Sequence, residues 1–262
     1  HWMLERRRGA GRYELAHYLV QRGAHADIFL ASALGLAARV RTLLEADASL
    51  LEQRTGQGEY GERPPSSYHI YFWTIGQNLS PMQVAAQFEQ HETVDVMREF
   101  ATPRQRFLHA CAQAHAADAK RLLREHPALM RELSAEDQRA LADAAWAGEV
   151  AAVGLMMELG FDPAVRGHDG GSALHCAAWE GSVGCVAAIL RHERGRALIN
   201  ERDPHYGGTP LGWCVHGAAN CGSPIADHAG VARLLLDAGA ESVPVGDDVP
   251  ESARAVLRDY AS

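Results

Sequence analysis

Positive charge is in short supply in this sequence. Its 25 Lys and Arg face 33 Asp and Glu, for a formal net charge of -8 and a pI of about 5.9. A nucleic-acid binder needs a basic stripe to neutralise phosphates. The one dense basic run, Arg6-Arg7-Arg8 after Glu5, reads as a solvated helix face. Long apolar runs are also missing: none approaches the roughly 18 residues that cross a bilayer. Neither nucleic acid nor a membrane is therefore an expected partner. Nothing resembles a secretory signal. The opening "HWMLERRRG" reads as the middle of an element, so the chain is expected to start inside a longer protein.

Cysteine is sparse and odd in number. The five are Cys111, Cys176, Cys185, Cys214 and Cys221, with no CxxC pair, which argues against a disulfide framework or a zinc ribbon. Cys111, Cys176 and Cys185 sit among alanines and read as small buried hydrophobes, which fits a reducing cytoplasm. Cys214, His216, Cys221 and His228 lie close in sequence but match no zinc spacing, and a helix would turn Cys214 and His216 to different sides. No metal is expected. There is no G-x-S-x-G elbow. "TGQGEYG" (55–61) lacks the Lys-Ser/Thr and the following helix of a phosphate loop. No cofactor is expected either. With 47% hydrophobic and 22% charged residues, the chain is nonetheless an ordinary folding sequence rather than a disordered one.

What the sequence has is repetition. "RALADAAWAGEVAAVGLMMELGFDP" from Arg139, "SALHCAAWEGSVGCVAAILRH" from Ser172 and "TPLGWCVHGAANCGSPIADHAGVARLLLDAGA" from Thr209 share one plan. Each has an Ala-rich first helix, a small-residue break and an aliphatic second helix. The first two are about 33 residues apart. "LSPMQVAAQFEQHETVDVM" (79–97), "FLHACAQAHAADAKRLL" (107–123) and "IFLASALGLAARVRTLL" (28–44) are degenerate copies, and "YELAHYLVQRGA" (13–24) is a lone second helix. The pairs Ala85-Ala86, Ala144-Ala145 and Ala177-Ala178 let first helices approach, while Leu122-Leu123, Ile189-Leu190 and Leu234-Leu235-Leu236 fill the space between second helices. Gly160 and Gly239 are placed to close second helices.

"SALHCA" (172–177) and "TPLGWC" (209–214) match the T-P-L-H-x-A signature, so the chain resembles a divergent ankyrin-repeat protein of about seven repeats. That resemblance implies an all-α solenoid of stacked helix-turn-helix units. It reads as a single domain over 1–262, with an insertion at about 53–80 and a C-terminal capping helix at about 249–262. It also implies that partner contacts come from a concave face lined by the first helices and turn tips. Carried over by position, these contacts are Trp146, Trp179, Glu180 and His216 after the alanine pairs, with Gln87 and Phe88 in the third unit. The turns add His168 and Asp169, then His205 and Tyr206. His175 is implied to be a structural hydrogen-bonder between repeats, and Trp213 reads as core.

A protein partner gripped by this groove is the first expectation. The alternative is an enzyme acting on an apolar small molecule. There, an aromatic, β-prone flap carrying Tyr68, His69, Tyr71, Phe72 and Trp73 would close the groove. Glu180, His216 and Asp169 would then do acid–base chemistry such as cyclisation, isomerisation or dehydration. The flap is expected to bury its aromatics, with 55–63 remaining mobile.

Overall fold

The structure is a computed structural model and describes residues 13–61, 71, 74–223, 226–243 and 249–260. The described chain is all-α. It contains no strand among those residues, only one isolated bridge between Gly56 and Gly61. None of its helices is long and apolar enough to cross a membrane. The chain divides into two compact units, residues 1–109 and 110–262.

In the first unit, helix α1 (Tyr13–Gln21) is followed by α2 (Ile28–Ala33) and α3 (Ala37–Ala46). Asp27 starts α2 because its Oδ1 accepts the Leu30 amide at 2.9 Å. All six α2 residues are buried. The next pair is α4 (Pro81–Gln87) and α5 (His91–Phe100). Ser80 and Gln83 close a capping box around the start of α4, with Pro81 in the first turn. First helix packs on first helix (α2 on α4) and second on second (α3 on α5). Phe29, Val40, Leu44, Val84 and Met97 make the core between them.

Helix α6 (Pro103–Ala112) carries the chain into the second unit, where α7 (Ala116–Glu125) follows. Two short turns, Leu129–Glu132 and Ala135–Gln138, precede α8 (Ala140–Trp146) and α9 (Val150–Leu159). The pairs α10 (Ala173–Glu180) with α11 (Val183–Leu190), and α12 (Pro210–Asn220) with α13 (His228–Asp237), come next. The last helix, α14 (Glu251–Asp259), begins after Pro250 with an acid in its first turn and packs on α13. Again α8, α10 and α12 pack in series, as do α9, α11 and α13. Ala145, Ala177 and Ala178 are fully buried at the first-helix contacts.

One backbone device recurs at the helix break. Gly35, Glu89, Ala114, Gly148 and Gly181 all have φ between 49° and 82°, in the left-handed region. The amide of the next residue then bonds a carbonyl five residues back, and that carbonyl always belongs to an alanine: Ala31, Ala85, Ala110, Ala144 or Ala177. Glycine suits this conformation; Glu89 and Ala114 adopt it against their β-carbons. Second helices close on Gly23, Gly160 and Gly239, where the same left-handed residue ends the last turn.

The insertion corrects two expectations. Residues 55–61 do not stand free of the body. Thr55 and Tyr60 are buried, and Thr55 bonds Leu79 and Asn78 through its backbone at 3.1 and 2.9 Å. Phe29 and Tyr60 meet edge to face at 4.7 Å, so ring packing ties the loop to the core. Nor is the backbone extended at Tyr71, whose carbonyl accepts the Ile75 amide at 2.9 Å in a helical turn. The Tyr71 hydroxyl reaches buried Asp27 at 2.7 Å, and its ring lies 5.8 Å from Phe29. The Tyr71 carbonyl is thus satisfied locally, without a partner strand.

Candidate functional site

The second unit brings the predicted tryptophans together. Trp146 ends α8 and Trp179 lies one residue before the end of α10. Their rings stack at 5.9 Å between centroids, only 7° from parallel. Both are half-buried. His216 on α12 continues the row, 5.4 Å from Trp179, and its side chain is exposed. Three successive first helices thus each contribute one ring, because the alanines beside them let the helices approach. Stacking of this kind contributes about 0.5–1.5 kcal/mol beyond burial.

Trp213 supports the row from beneath. It is 7% exposed and meets Trp146 and Trp179 edge-on, each at 6.5 Å. Its Nε1–H donates to Asp203 Oδ2 at 2.9 Å. Gly171 and Gly208 make room for it: a β-carbon on Gly171 would lie 2.7 Å from the indole, and one on Gly208 3.0 Å. Trp213 is therefore core, though core that shapes the site.

Asp203 is the organising residue that sequence reasoning missed. Buried at the turn before α12, it accepts the amides of His205, Tyr206 and Gly208 at 2.9, 2.7 and 2.8 Å. Burial raises its carboxyl pKa, but the bonds from Tyr206, Trp213, Gly208 and His205 outweigh it and hold the net value below the usual range. The signal was present in "DPHYGG": an Asp four and five residues before glycines folds its own turn. The result is a fixed turn holding His205 and Tyr206 outward, with Tyr206 72% exposed. In the preceding turn Asp169 is exposed at a left-handed φ of 49°, and His168 is placed only as backbone.

His175 ties the two turns together. Ser172 N–H and Oγ–H both approach His175 Nδ1, at 3.3 and 2.8 Å, so Nδ1 accepts. Nε2–H therefore donates to the Gly208 carbonyl, 3.1 Å away and one repeat on. Burial lowers its pKa to about 4, so the ring is neutral.

Glu180 and His216, the acid–base pair of the enzymatic expectation, each bond to a different neighbour. Glu180 Oε2 accepts from the Cys221 thiol at 3.7 Å, while Asn220 donates to the His216 carbonyl and approaches its Nδ1 at 3.3 Å. Cys214 is buried and donates to His228 O, apart from exposed His216, and His228 Nε2–H donates to the Trp179 carbonyl at 2.9 Å. No His/Cys/Asp/Glu group among the described residues is arranged to hold a metal. Gln87 and Phe88 belong to the first unit, where Gln87 bonds the Ile75 carbonyl and Phe88 meets Tyr13 edge-on. Of the flap, Tyr71 lies in the first unit's core; Tyr68, His69, Phe72 and Trp73 lie outside the described residues.

Residues 169–204 match the ankyrin repeat family model. A crystal structure of the human ASB11 ankyrin repeat domain is similar at 15% sequence identity, covering 90% of this chain and 98% of that one, with a TM-score of 0.48. No curated protein matches the chain in sequence. The T-P-L-H motif, the repeated helix break and the family match coincide on the segment that carries His175, Trp179 and Glu180: residues 169–204 form an ankyrin repeat.

Proposed function

We propose that this chain is an interaction module that grips a protein partner through the aromatic row Trp146, Trp179 and His216, with His205 and Tyr206 as a second contact. Ankyrin repeats support a protein-interaction role in general. The observation that carries this specific reading is the stack itself. Two half-buried indoles lie parallel on successive helices, backed by a third that is hydrogen-bonded and packed. Rigid aromatics of this kind make binding anchors because little conformational freedom is lost when they are covered. Tyr206 is held outward by three amide bonds to Asp203, so it too is presented in advance of binding. All five cysteines are free thiols, and the cytoplasm is the location we propose.

Photo-crosslinking tests this. A photoreactive phenylalanine at position 206 or 216 should yield one discrete protein adduct in cells, and the same probe at exposed Val150 should not. The same adduct from Val150, or none from the row, would remove the reading.

A further inference from the structure

The acidic excess of the chain is not evenly spread. Residues 110–262 hold 21 Asp and Glu against 13 Lys and Arg, while residues 1–109 hold 12 of each. The unit that carries the aromatic row thus carries the whole net negative charge. Within it, Glu180 follows Trp179 directly and is half-buried. It forms no ion pair with any described Lys or Arg; its one hydrogen bond is from the Cys221 thiol. Asp143 and Glu201, by contrast, pair with Arg139 and Arg166. The Glu180 stem lies over Gly148, 3.6 Å from where a β-carbon there would stand, and exposed Glu149 follows Gly148. Glu180 is also the last residue of α10, where the helix dipole presents its negative end.

We infer that the partner segment seated on the row is basic and presents an arginine, its guanidinium against the part of the Trp179 ring that Trp146 and His216 leave exposed and its N–H groups toward the Glu180 carboxylate. The inference rests on the row being the partner surface. A guanidinium suits the place for three reasons. It stacks on an indole face, it bonds a carboxylate through paired N–H groups, and it is weakly hydrated, so covering it costs less than covering an ammonium. A half-buried carboxylate with no cation beside it, next in sequence to Trp179, would be penalised by burial under a neutral partner and rewarded under a cationic one. The negative unit would also speed the approach of a basic segment, and salt would slow it.

The test uses the whole chain and a random peptide library displayed on phage, selected on the wild type and on Trp179→Ala and Trp179→Phe variants. Enrichment of arginine-bearing basic peptides that depends on Trp179 supports the inference. Trp179-dependent enrichment of acidic or uncharged peptides overturns it while leaving the row as the partner surface. No enrichment, or enrichment indifferent to both Trp179 variants, overturns the partner surface and the inference with it. A selected arginine peptide is then compared with its citrulline counterpart by tryptophan fluorescence. Citrulline in the peptide, or Glu180→Gln in the protein, should each weaken binding by about tenfold or more. Equal binding of the citrulline peptide, or an unchanged affinity in E180Q, contradicts the inference even where the chain is fully folded.

Discussion

His175 Nε2 lies 3.1 Å from the carbonyl of Gly208, 33 residues further on, so one imidazole bonds its own turn and the next repeat's. The bonds from Ser172 exist only with Nδ1 unprotonated. Burial holds the folded pKa at about 4, below the ordinary 6.5. Between these values the unfolded chain binds a proton that the folded one does not. Stability therefore falls as pH drops from about 6.5 toward 4, by up to about 3 kcal/mol in all. Urea unfolding across this range should show that slope in the wild type and a flatter profile in His175→Gln. Parallel profiles would show that His175 is not the group responsible.

The left-handed break makes a second prediction from backbone alone. Glu89 and Ala114 hold φ of 59° and 54° where Gly35, Gly148 and Gly181 hold the same conformation without a β-carbon. Relief of that strain outweighs the added freedom of the unfolded glycine, so Glu89→Gly and Ala114→Gly should each stabilise by about 0.5–1 kcal/mol. Gly148→Ala and Gly181→Ala should do the reverse. In Gly181→Ala the loss should be larger, because a β-carbon there would lie 2.8 Å from Ala226. Denaturant midpoints measure all four.

Tyr71 donates to Asp27, an acid whose pKa is raised by burial and lowered in part by Leu30, Tyr71 and Phe29. Tyr71→Phe keeps the ring and removes the donor, so it should cost about 1–3 kcal/mol at neutral pH. With the carboxyl protonated the donor matters less, so the deficit should shrink as pH falls toward 4. Unfolding of the two proteins at pH 7 and pH 4 compares these costs. A deficit that is equal at both would show that the bond does not depend on the charge of Asp27, and no deficit at either would show that the ring alone anchors the insertion.

The repeat plan was legible because it is written in local signals that neighbouring repeats reinforce: alanine pairs, a Ser-Pro helix start and glycines at helix ends. The tryptophan row was legible in the same way, since register along the repeat puts Trp146 and Trp179 at one position. What escaped reading was contact across sequence. The turn of Asp203 is written in "DPHYGG", but nothing near it says that the carboxylate would also take the Trp213 indole, or that Gly171 and Gly208 are small so that Trp213 fits. The β-prone composition around Tyr71 did not foretell the local bond of its carbonyl to the Ile75 amide.

The central claim is that the Trp146–Trp179 stack is a contact surface rather than packing alone. The direct measurement is Trp179→Ala, read both as affinity for the protein crosslinked from the row and as unfolding free energy of the free chain. Trp179 is half-buried and its ring is shared with Trp146, so truncation should cost about 1 kcal/mol of stability. It should weaken binding by about 2 kcal/mol or more, roughly thirtyfold. A stability loss of about 3–5 kcal/mol, as for a fully buried aromatic, with binding unchanged wherever the chain stays folded, would contradict the account.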